Sequence, residues 1–160
     1  MTTTTKSQYG TSAQAITCTL ASLASGSARG STAIDNTTNL FLDSLVTVKI
    51  KTGATGSVAA DYVAVYAFAT TDGGASYSEG FAGTDGAFSG SVSNLRLVGI
   101  IACPAATTTY TMVAASVAAA FGGVLPDHWG IVVLNKTSAA LDATEGNHTK
   151  QYQGAYAQNV

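Results

Sequence analysis

Charge is scarce in this 160-residue chain: only 10% of its residues are Asp, Glu, Lys or Arg, where soluble domains carry about 25%. Seven Lys and Arg against nine Asp and Glu leave a formal net charge of -2. Seven scattered cations cannot build the basic patch that displaces counterions from a phosphate backbone, so no nucleic acid is expected as a partner. The small net charge argues against a chain kept disordered by self-repulsion. A long helix or coiled coil is excluded because charged residues do not recur at helical spacing. Large aliphatics are scarce too. Ala inflates the 46% hydrophobic figure, and Leu, Ile, Val and Phe together reach roughly a fifth of the chain, near the floor for a globular domain. The core must be thin and spread out, as between two sheets.

Other absences narrow the reading. The two cysteines, Cys18 and Cys103, lie in apolar runs without C-x-x-C or metal-ligand spacing; two buried free thiols fit this best, with a single disulfide between them as the alternative. The longest small-apolar run, Val113 to Gly123, is too short to span a bilayer. The stretch from Met1 to Gln14 is rich in Thr, Ser and Gln and has no apolar segment of the signal-peptide kind. A soluble protein made in a cytoplasm, with no membrane partner, is the expectation.

What is present is period-two alternation. Ile16, Cys18 and Leu20 alternate with Thr17, Thr19 and Ala21, and Val46, Val48 and Ile50 alternate with Thr47, Lys49 and Lys51. The second run reads as a strand with one dry and one wet face. Tyr62 to Phe68 is apolar on both faces, which predicts a strand covered on both sides, by its own chain or by a partner. Leu95 to Ala102, Thr109 to Ala114, Trp129 to Leu134 and Gln151 to Ala157 are further strands, with weaker ones at Thr32 to Asp35, Ser76 to Ser78 and Ala139 to Asp142. Thr71-Asp72-Gly73-Gly74, Lys51-Thr52-Gly53, Thr84-Asp85-Gly86 and Asn135-Lys136-Thr137 supply turn residues between them. The best helical candidate is Val113 to Phe121, stopped by Gly122-Gly123. The expected fold is an all-β antiparallel sandwich of about eight strands over 15–160, with a flexible N-terminal arm over 1–14.

Catalytic constellations are not legible. Asp127-His128-Trp129 is the densest polar-aromatic cluster; a His/Asp pair or a sugar-stacking Trp is weighed against a turn leading into a buried strand, and the strand is preferred because no nucleophile accompanies the histidine. Glu145 and His148 are three residues apart but sit in a turn-like segment with no third ligand. The acids fall at strand ends and turns, where carboxylates cap loops. No catalytic residue, metal or cofactor is assigned. The aromatics remain, and Tyr and Trp suit protein interfaces as well as cores. Tyr9, Tyr62, Tyr66, Phe68, Phe121 and Trp129 are the candidate interface residues.

The runs Asn39-Leu-Phe-Leu-Asp-Ser-Leu-Val-Thr-Val-Lys-Ile, Asn94-Leu-Arg-Leu-Val-Gly-Ile-Ile, Phe121-Gly-Gly-Val-Leu-Pro-Asp-His-Trp-Gly-Ile-Val-Val-Leu-Asn and Tyr152-Gln-Gly-Ala-Tyr-Ala resemble small structural proteins of tailed bacteriophages, closest to jelly-roll capsid decoration, or cement, proteins. The resemblance is one of pattern and composition over most of Asn39 to Gln158. It implies a jelly roll and a non-enzymatic virion component on the outer capsid surface, made in the host bacterial cytoplasm. Its partners would be the major capsid protein and further copies of itself, as a dimer or trimer. The expected mechanism is self-association through a face such as Tyr62 to Phe68, with the arm and loops clamping coat subunits. The alternatives are a carbohydrate- or receptor-binding sandwich that grips through Trp129, and a tail or head-completion subunit.

Overall fold

The structure, a computed structural model, describes residues 4–10, 12–56 and 58–159. It is an all-β sandwich of two antiparallel sheets. The strands are β1 (Thr5–Tyr9), β2 (Gln14–Ala15), β3 (Ala28–Gly30), β4 (Ile34–Asp35), β5 (Asp43–Lys51), β6 (Tyr62–Thr70), β7 (Gly86–Ala87), β8 (Arg96–Ala102), β9 (Thr109–Ser116), β10 (His128–Lys136) and β11 (Thr149–Asn159). One sheet has the order β1-β11-β5-β9, with β2 also on β11; the other runs β7-β3-β10-β6-β8, with β4 also on β10. Among the described residues eleven strands thus form where about eight were expected, and β2, β4 and β7 have only two residues each.

The alternation in β5 does what its chemistry requires. Val46, Val48 and Ile50 are fully buried, while Thr47, Lys49 and Lys51 face the partly wet side. Ile16, Cys18 and Leu20 are buried in the same alternating way, although this segment joins no ladder of its own and is held by single bonds, such as Ile16 N–H to the Lys150 carbonyl at 2.8 Å. Between the sheets these residues meet Val63, Val65, Trp129, Ile131, Val133 and Tyr152.

The central strands β6 and β10 are covered on both faces. Their second face carries Phe68 and Val132, and the cover is the chain itself: the segment 77–95 folds back and lays Tyr77, Phe81, Phe88, Val92 and Leu95 over them. Phe68 meets Phe81 edge-on at 5.1 Å between centroids and Tyr77 at 5.5 Å. Of the face expected to join two copies, Phe68 thus lies beneath a self-supplied aromatic layer, while Tyr62 and Tyr66 stay half-buried.

Three local expectations also change. Residues of the expected arm form β1 and β2, both paired to β11; Met1, Thr2, Thr3 and Thr11 lie outside the described residues. The expected helix over Val113 to Phe121 is mostly strand: β9 continues to Ser116 because Ala115 and Ser116 still pair with β5. Only the turn α1 (Val117–Ala120) follows, capped by the Ser116 hydroxyl, which accepts from Ala119 N–H at 3.0 Å. Ser76 to Ser78 leads into a short 3-10 turn over Ser78–Gly80 and is not a strand. Among the described residues, no helix is long and apolar enough to cross a membrane.

Candidate functional site

The residues singled out in the sequence scatter. Trp129 is completely buried and packs edge-on against Tyr152 at 5.3 Å. Phe68 is equally buried. Both leave the set of candidate interface residues, because no partner can touch them without opening the core. Tyr62, Tyr66 and Phe121 are half-buried, and only Tyr9, 59% exposed, stands free on the surface. A sugar-stacking role for Trp129 falls with its burial.

The two histidine clusters lie apart. Glu145 accepts from the Leu20 and Ala21 N–H groups at 2.8 and 2.7 Å and pairs with Lys150. His148 is buried: its Nδ1 accepts from Lys51 N–H at 3.3 Å, and its Nε2 lies 3.0 Å from the Asp142 carbonyl, which it can only meet as a donor. These groups tie the 16–23 segment and the 141–148 loop to the sandwich. His128 lies between Asp35 and Asp127, 3.7 Å from each. Cys18 and Cys103 are free, buried thiols; burial pushes Cys18 up to about 12 and Cys103 to about 11, so neither is a nucleophile near neutrality.

The surface itself offers something the sequence reading passed over. At the end of the sandwich where β4 leads into β5, Leu40 and Leu42 stand 69% and 60% exposed; on the loop preceding β10, Val124 is 71% exposed. The two loops flank an open groove of 410 Å³ that Leu40, Phe41, Leu42 and Leu125 line with Asn36, Thr37 and Asp127. The 36–42 loop is rigidly built. Asn36 Oδ1 accepts from Phe41 N–H at 2.9 Å, Asn36 Nδ2 donates to the Phe41 carbonyl at 3.0 Å, and Asn36 N–H donates to Asp127 O at 2.7 Å. Phe41 turns inward over Gly154, where an added Cβ would lie only 2.4 Å from its ring. Its neighbours must then point out. Leu40 does so from a left-handed backbone, φ 51°, a conformation that costs a non-glycine residue about 1–2 kcal/mol.

No protein-family model matches the chain, and no curated protein and no solved structure matches it either. The surface therefore has to be read on its own terms. A larger groove of 480 Å³ beside β7 is lined chiefly by Gly, Ala and Ser with Lys136. The end bearing Leu40, Leu42 and Val124 differs from it in offering large exposed aliphatics on a pinned loop. Asp35, Asp43, Asp72 and Asp127 all fall at this end, at the termini of β4 and β5, after β6 and before β10. Local bonds favour the ionised form of two of them: the Thr70 hydroxyl first, then Ser76, keeps Asp72 down at about 2, and Thr37 lowers Asp35. The arrangement is an apolar tip with an acidic rim. The signal for it was the triplet Leu40-Phe41-Leu42 between Asn36 and Asp43: if Phe41 faces in, both leucines must face out.

Proposed function

We propose that the chain is a non-enzymatic bacteriophage virion protein that decorates and stabilises the outer capsid surface by bridging major capsid subunits, and that it docks through the Leu40/Leu42/Val124 tip. The observation that carries this reading is the pinned, strained loop presenting two exposed leucines. A side chain held outward at a conformational cost is what a preformed docking element requires, because pre-organisation lowers the entropy lost on binding. The nesting of strand pairs adds support for the jelly-roll form: β1 with β11, β3 with β10, β5 with β9 and β6 with β8 pair as one ribbon wound round the sandwich. The scarcity of charge fits a surface that neighbours cover.

Two measurements test it. The protein should co-purify with full capsids and appear on their outer surface in a particle map. Leu40→Asn should separate docking from folding. Asn tolerates the left-handed backbone, so the free chain should be as stable as before or up to about 1 kcal/mol more so. Loss of the aliphatic that docking would bury should lower capsid affinity by roughly tenfold or more. Unchanged occupancy with Leu40→Asn, or absence of the protein from capsids, overturns the reading.

A further inference from the structure

Strand β11 outruns the sheet it belongs to. Its pairing with β5 stops at Ala155, opposite Asp43, while its pairing with β1 continues to Asn159. Residues 5–8 and 156–159 therefore leave the sandwich as a two-stranded ribbon. Thr5, Lys6, Ser7, Ala157, Gln158 and Asn159 are all exposed. A two-stranded ribbon in water is marginal, and three or more strands are needed for stability of its own.

The phase of the free edge is defined. Gly10 N–H donates to the Gly154 carbonyl at 2.8 Å, in the register that joins Tyr9 to Ala155. In an antiparallel ladder the residues alternate between facing the neighbour and facing away. Lys6 and Gln8 thus turn their backbone groups toward β11, and Thr5, Ser7 and Tyr9 turn theirs outward. Among the described residues no strand pairs that outer edge. What fits an extended row of backbone donors and acceptors is another strand. The side chains indicate which one. A two-fold axis at Ser7 sets Ser7 opposite Ser7 and Thr5 opposite Tyr9, every outward backbone group answered, with Lys6 opposite Gln8. Moving the axis to Lys6 sets two ammonium groups against each other, which is unfavourable.

We propose that two copies of the chain join edge to edge through β1, antiparallel about Ser7, so that the ribbon becomes four strands wide. This goes beyond the docking reading above and does not rest on it; coat binding is not required for it. The test is sedimentation of the isolated chain over a range of concentrations. A concentration-dependent dimer is expected. Ser7→Pro removes an N–H that the monomer does not use, so monomer melting should be unchanged and the dimer should weaken by roughly tenfold or more. Gln8→Pro, in contrast, removes a donor that β11 needs and should lower monomer melting. Ser7→Cys should trap the dimer covalently under mild oxidation, since Cys18 and Cys103 are buried, whereas Lys6→Cys should not. A chain that stays monomeric at all concentrations overturns the proposal, as does a dimer that ignores Ser7→Pro and escapes Ser7→Cys trapping.

Discussion

A carboxylate in this protein works mainly as a loop clasp. Asp142 shows the pattern: its Oδ1 accepts from Asn147 Nδ2 at 2.8 Å and Thr144 N–H at 2.9 Å, and its Oδ2 lies 3.2 Å from Lys51 Nζ. The Asn147 bond, then Thr144, then Lys51, hold its proton affinity well below the ordinary carboxylate range. Asp72 is held at about 2, and Glu79 is lowered by Asn94 and Ser91. Lowered folded values fix the sign: the stabilisation is complete above the unfolded values, near 4, and is lost as pH falls through the folded ones. Thermal stability should thus hold down to roughly pH 5 and fall steadily toward about pH 2. Asp142→Ala should lower melting at pH 7 and make the acid limb shallower. An acid limb of unchanged steepness in that variant would show that the clasp contributes nothing.

At the level of strands, close approach of aromatic rings to glycine backbone decides how layers seat. A Cβ placed on Gly130 of β10 would lie 2.3 Å from the Phe68 ring and 2.8 Å from the Ser31 hydroxyl. Gly130→Ala must therefore displace Phe68 and loosen the aromatic cover above β6. A loss of about 1–3 kcal/mol in urea unfolding is expected, the usual cost of overpacking. A neutral result would mean that the 77–95 segment adapts freely. The same elements show what the sequence could tell. Alternation in Val46 to Ile50 and two-sided apolarity in Tyr62 to Phe68 were legible because pleating is local. That residues 77–95 would fold back as the cover was not, because it depends on contacts far apart in the chain. Nor was the role of Phe68 and Trp129, since large aromatics serve cores and interfaces alike. The Val113 to Phe121 segment read as helix because Ala favours helix, but pairing with β5 outweighs that weak preference through Ser116. The outward leucines at the tip were hidden because their direction follows from Phe41 docking on Gly154.

For the molecule as a whole, the thin aliphatic supply raises the question of whether the free chain is sound by itself. Its accessible surface is 7709 Å², where a compact monomer of this mass exposes about 7400 Å². The two agree within a few per cent with the self-supplied aromatic cover in place, so the free subunit is expected to fold alone and assembly adds to its stability. The addition can be sized. A partner at a hundred times its dissociation constant stabilises the bound state by about 2.7 kcal/mol, which for a domain of this length raises melting by roughly 5–10 °C. The decoration reading therefore predicts that the chain melts higher on the particle than free, and that Leu40→Asn cuts this difference by about half or more while leaving the free melting temperature level or raised. The acidic rim adds a second dependence. If Asp35 and Asp127 face basic coat residues, the increment should shrink as salt rises from about 0.05 to 0.5 M, because the screening length falls severalfold over that range. Equal melting of free and bound chain at low salt would refute docking as a source of stability, whatever the occupancy.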